Sequence, residues 1–165
     1  MLRQVKVDAT AQQFLRNAHW GRARVLENLK RYAEAATDWD RVVDLSPEVE
    51  QPRCRMNRAT SRVRAGQVNA ALKEAEELSK VQDAATLYDL ACVFALAADR
   101  PDETAATLSK EDCAQRAVAI LQQAIAKGYK DAEHLKKDDD LKGLRERDDF
   151  KKLLRELEAA NAKKQ

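Results

Sequence analysis

The sequence predicts an all-α fold, and three observations lead there. Ala, Leu, Glu, Lys and Arg dominate a chain with only 4 Gly and 3 Pro, a mixture that favours helix and offers few strand or hairpin signals. Apolar residues recur at helical spacing in segment after segment, separated by breaks such as Ser46-Pro47 and Gly66. A length of 165 residues suffices for one core and is short for two, so a single domain over 1–165 is expected.

In HWGRARVLENL, Trp20, Ala23 and Leu26 fall at helical spacing, and LKRY leads into a second helix, RYAEAATDWDRVVDLSP at 31–47. There Ala35 and Trp39 share a face with Val42 and Val43, while Asp38, Asp40, Arg41 and Asp44 are expected to point largely elsewhere. Ser46-Pro47 ends the helix, because proline lacks the amide donor and restricts the residue before it. A worn copy follows: Ala59 and Ala71 stand 36 residues after Ala23 and Ala35, and Gly66 occupies the turn where the first pair has Lys30. A third pair opens on YDLACVFAL, with Tyr88, Leu90, Ala91 and Phe94. Its second helix, carrying Ala117, Leu121 and Ala124, is displaced, which implies an insertion at 99–112. Gly128 fits the left-handed position just past a helix end. The tail is expected to form a short helix or turn, then an amphipathic helix with Phe150, Leu153, Leu154 and Leu157 on one face and Asp148 or Asp149 capping its start.

These offsets resemble the tetratricopeptide repeat, a helix-turn-helix of about 34 residues with small residues at its close helix crossing and a terminal proline. Counted from Arg16, Ala23, Tyr32, Ala35, Trp39 and Pro47 fall on the eighth, seventeenth, twentieth, twenty-fourth and thirty-second positions of that pattern. The resemblance implies a right-handed α-solenoid of about three units, over about 16–49, 52–83 and 84–128, with a short helix and a capping helix over 129–163. Residues 84–157 further resemble the end of the tetratricopeptide regions found C-terminal to bacterial, particularly planctomycete-type, serine/threonine protein kinases. Of the kinase itself the chain has no glycine-rich phosphate loop, HRD or DFG. A regulatory or interaction role in a bacterial cytoplasm is what this resemblance implies.

Chemistry finds little support in the residues. Cys54, Cys92 and Cys113 are widely spaced with no CxxC, so neither a disulfide framework nor a zinc site is suggested and a reducing compartment is the default. His19 and His134 belong to no metal motif, and Asp138 to Asp140 lack the remaining ligands of a calcium loop and read as a solvated cap-and-turn segment. No nucleophile motif occurs, so enzyme activity, a cofactor and a metal are not expected. The apolar runs fall short of the roughly 20 residues of a membrane span, and a net charge of +2 supplies no global field for nucleic acid or anionic lipid. Residues 1–64 hold 13 Lys and Arg against 8 Asp and Glu, a modest excess that leaves nucleic-acid binding disfavoured.

In the Arg-rich helix RCRMNRATSRVR, Arg55, Arg58 and Arg62 take packing positions and are expected to snorkel towards nearby Asp or Glu. The resemblance implies a concave groove lined by Trp20, Arg24 and Asn28 from the first unit, Arg53, Met56, Asn57, Thr60 and Arg64 from the second, and Tyr88 and Asp89 from the third. Trp20 is also open to cover by the segment around Phe14. Only Asn57 matches the carboxylate clamp of the chaperone-binding subclass, so that ligand is not expected. A protein or peptide partner with an acidic or phosphorylated patch suits Arg24, Arg53 and Arg64. Self-association through an uncapped end of the array, giving a homodimer, is the alternative.

Overall fold

The computed structural model describes residues 8–80, 83–101 and 106–162, and the described chain is all-helical. Eight α-helices follow one another: α1 (Ala9–Asn28), α2 (Tyr32–Leu45), α3 (Gln51–Arg64), α4 (Val68–Leu78), α5 (Ala84–Ala98), α6 (Lys110–Ala126), α7 (Ala132–Lys137) and α8 (Asp148–Ala162), with a 3-10 turn at Asp139–Leu144 between the last two. Each helix packs on its neighbour in sequence up to α6, α3 also meets α5, and the 3-10 turn folds back on α5. The result is a repeat-like array of helical pairs. The first residues of the expected domain, the end of the second unit at 81–82, most of the insertion's centre at 102–105 and the tail from 163 lie outside the described residues.

Small residues set the close crossings. Ala23, Ala35, Ala59, Ala71, Ala91 and Ala117 are all fully buried, and each removes the bulk that would hold two helix axes apart. Two of the pairs turn by the same device. Lys30 and Gly66 adopt φ of +58° and +79°, and the next amides, of Arg31 and Gln67, donate back to Leu26 O and Arg62 O at 2.8 Å. This is the Schellman closure, and Gly128 at φ +107° repeats it after α6, with Tyr129 N bonded to Ala124 O.

The core is uneven. One large cluster runs from Met56 on α3 to Leu157 on α8, whereas Ala23, Trp39 and Val42 form a small one between α1 and α2. Polar ties supplement the thin N-terminal core. Asp38, expected to point largely away from the packed face, is 1% exposed: it accepts from both Arg22 Nε and Nη2 at 2.6 Å and lies 2.8 Å from His19 Nδ1. Burial opposes its ionisation, but the bonds from Arg22 and His19 outweigh that and hold its pKa below the usual carboxylate value. Asp40 bridges to Arg58 and Arg62, leaving Arg41 and Asp44 as the exposed pair.

Arg55, Arg58 and Arg62 snorkel as expected, and all three converge on Glu74 of α4, itself 4% exposed. The connection between α5 and α6 is shorter than the expected 99–112, because α6 starts at Lys110. Ser109 sets that start by accepting the Asp112 amide at 3.0 Å while its hydroxyl donates to the Asp112 carboxylate at 2.7 Å. Phe150, Leu153 and Leu157 are buried on α8, as their spacing requires. Asp148 is already helical there, and Asp149 instead accepts the neighbouring Phe150 amide.

Candidate functional site: a cavity between alternate helices

Side chains from α1, α3 and α5 converge with the segment 134–140 around an open cavity of about 460 Å³. From α1 come Arg24, Glu27 and Asn28; from α3, Met56, Asn57, Thr60 and Arg64; from α5, Tyr88, Asp89 and Cys92; and from the tail His134, Asp138, Asp139 and Asp140. Helical geometry explains the first three groups, since residues three or four apart share a face. Eight of the ten expected groove residues line this cavity. The other two, Trp20 and Arg53, line a neighbouring cavity of about 430 Å³ that shares Asn57. Trp20 remains 50% exposed, because Phe14 lies on the same continuous helix and cannot fold over it.

The floor is fixed from several sides. Tyr88 stacks on Tyr129 with centroids 4.6 Å apart, and its hydroxyl donates to Asp138 Oδ2 at 2.6 Å. Asp138 Oδ1 accepts the Asp140 amide at 2.9 Å, which caps the 3-10 turn, and Arg145 donates to the Asp138 carbonyl. Glu27 ties three helices together. Its Oε1 accepts Trp39 Nε1 at 2.8 Å and the Ser61 hydroxyl at 2.7 Å, while Oε2 accepts Arg24 at 3.0 Å.

The cavity's electrostatics are dominated by carboxylates. Asp138 and Asp140 are only partly exposed and face α5, so the run 138–140 is not the wholly solvated segment its composition suggests. Arg64 is bonded to Asp140 and lies over the Tyr32 ring at 5.6 Å. Asp89 remains exposed as a whole, yet crowding that excludes water on its cavity side pushes its pKa up; Arg53 opposes this, and the charges of Asp83, Asp138 and Asp140 add to it. Asp140 is raised for the same first reason, with Arg64 opposing. Burial, followed by the charges of Asp138, Asp140 and Asp89, holds the Cys92 thiol well above its ordinary value.

Cys92 Sγ and His134 Nε2 lie 3.9 Å and 3.5 Å from the same Asp138 oxygen, a juxtaposition with the ingredients of a thiol centre. Burial and the surrounding carboxylates disfavour the thiolate, the opposite of the electropositive setting that activates a cysteine. Among the described residues no group of three or more His, Cys, Asp and Glu is placed to hold a metal ion, and no helix is long and apolar enough to cross a membrane.

Sequence reasoning missed Glu27, Cys92, His134 and Asp138 to Asp140. Glu27 was within reach, since it lies three residues from Arg24 on the same stripe. The tail residues were not, because their place depends on a return across about 50 residues of chain, as in the Tyr88–Asp138 bond. Comparison of the chain with protein-family models, with curated proteins and with solved structures finds no match in any of the three.

Proposed function

We propose that this protein is a non-catalytic interaction scaffold, a short helical solenoid of the tetratricopeptide kind that takes a peptide or partner domain between α1, α3 and α5. The observation that carries the reading is the convergence of Arg24, Asn28, Met56, Asn57, Thr60, Arg64, Tyr88 and Asp89, taken from three separate segments by repeat position, on one cavity. A preformed cavity with rigid walls needs little ordering of the scaffold on binding, so contact energy is not consumed by folding. The resemblance of 84–157 to kinase-attached regions favours a regulatory setting. Filling the cavity tests the proposal: peptides selected from a displayed random library should lose binding to Thr60→Trp while helicity is retained. Selected peptides that bind this variant unchanged place the partner surface elsewhere.

A second reading, self-association, is favoured by a different surface. Phe14, Leu15, Val25 and Leu29 are 70%, 48%, 56% and 60% exposed, and helical projection places them within about 100° of one another on α1 and its C-cap residue, Leu29. Exposed apolar side chains gathered on one helix face, here interrupted by Arg22, favour an interaction surface. Light scattering over a concentration series reads it directly: a dimer abolished by Val25→Glu with Leu29→Glu supports this reading, and a monomer at every concentration removes it.

A further inference from the structure

We infer that the cavity between α1, α3 and α5 receives a cationic segment, a stretch of partner chain bearing lysine or arginine. The inference rests on the reading of this cavity as the partner site, and charge complementarity selects the occupant. Its walls carry carboxylates from three separate parts of the chain, Glu27, Asp89 and the run Asp138 to Asp140, against two arginines. Both arginines are already engaged, Arg24 with Glu27 and Arg64 with Asp140, so the donors that suggest an acidic or phosphorylated partner are occupied from within. The third, Arg53, faces the neighbouring cavity.

The negative charge is less well met. Among the described residues Asp89 has no cation within ion-pair distance, and Asp139 is 95% exposed with Arg145 no nearer than 3.8 Å. Asp89, which is solvent-exposed, and Asp140, which is only partly exposed, share the cavity with the charge of Asp138, a crowding of carboxylates that an incoming cation relieves. The carboxylates are spread along the walls and form no metal-binding group, so they suit charges distributed along a chain better than a single ion. A feature independent of charge agrees. Met56, Tyr88 and Cys92 give the mainly polar lining a small apolar part, against which the methylene stems of lysine or arginine can lie while their heads reach the carboxylates. Beyond Asn57, the half-exposed ring of Trp20 offers the same segment an apolar contact.

The test is selection of a displayed random-peptide library on the whole chain, followed by binding of the selected peptides to three proteins: the wild type, the Asp89→Asn/Asp139→Asn double variant and the cavity-filling Thr60→Trp. Selected peptides should be enriched in lysine and arginine, weaken as salt is raised and lose about tenfold in affinity to the double variant, equivalent to about 1.4 kcal/mol. Peptides lost on Thr60→Trp but acidic or without charge bias, or indifferent to the double variant, overturn the cationic inference and leave the cavity as the partner site. Peptides that ignore Thr60→Trp overturn the cavity reading itself. A library that yields no binder overturns both.

Discussion

The Tyr88 hydroxyl donates to Asp138 Oδ2 at 2.6 Å and so fastens the tail to α5 across 50 residues of sequence. Tyr88 is 6% exposed, and burial together with its bond to the charged Asp138 raises its pKa far above the ordinary phenol value, so it remains a donor at any working pH. Tyr88→Phe keeps the stacking on Tyr129 and removes only this bond. It should destabilise the chain by about 1–3 kcal/mol, the range for a partly buried acceptor left unmet. Amide exchange at 138–141 should quicken more than exchange in α2, where the bond has no reach. Equal quickening in both places would show that the bond does not position the tail.

Glu74 joins α4 to α3 through three arginines, and its burial makes the arrangement vulnerable. Glu74→Gln removes the charge from a buried network and should destabilise by about 3 kcal/mol. The pH dependence follows from the direction of its shift. Burial raises the pKa, but bonds from Arg58 and Arg55 and the charges of Arg58 and Arg62 override this and bring it below the ordinary glutamate value of 4.5. A carboxyl lowered by folding stabilises fully above its unfolded pKa and loses that contribution as the pH falls through the folded one. Urea titrations of the wild type should therefore show stability declining below about pH 4.5, with the decline shallower in Glu74→Gln. Parallel declines would assign acid sensitivity to other carboxylates.

What was legible in the sequence is local. The repeated spacing of Ala23, Ala35, Ala59 and Ala71 marked the helix crossings, and Gly66, Lys30 and Gly128 marked the turns, because a short-period repeat and a local turn signal are both written along the chain. Asp38 looked outward-facing because the partners that make its burial tolerable, Arg22 and His19, belong to the preceding helix. The cavity's lining from α1, α3 and α5 was legible from repeat position, but its sign was not. Asp138 to Asp140 approach Asp89 only because the 3-10 turn packs on α5, a tertiary choice that no periodicity reports.

Lys30 stands at φ +58°, where a side chain crowds the backbone. Gly66 fills the equivalent position after α3 without that penalty. A non-glycine residue in the left-handed region costs about 1 kcal/mol or more, and glycine's extra freedom in the unfolded chain offsets part of the gain. Lys30→Gly should thus stabilise by about 0.5 kcal/mol, and Gly66→Ala should destabilise by about 1 kcal/mol. Differential scanning calorimetry of the two variants reads both signs, and destabilisation by Lys30→Gly would mean that the lysine makes a contact outweighing its strain.

Asp89 sets stability against binding at one residue. Its pKa is raised, chiefly by withdrawal from water and further by Asp83, Asp138 and Asp140, although Arg53 opposes them. A carboxyl raised by folding binds its proton more tightly in the folded chain, so stability falls as the pH climbs from the unfolded pKa through the folded one. At neutral pH the ionised group burdens the fold only slightly, because Asp89 is solvent-exposed and water screens its charge. Asp89→Asn should raise the melting temperature at pH 7 by a small amount, and the gain should vanish as the pH is lowered and the wild-type carboxyl becomes neutral. The same substitution should weaken capture of lysine- and arginine-bearing peptides, because it removes the wall charge with no cation of its own. A variant that is both more stable and a poorer binder identifies Asp89 as charge kept for a ligand. A variant that is less stable at pH 7 shows instead that the carboxylate is already satisfied within the fold.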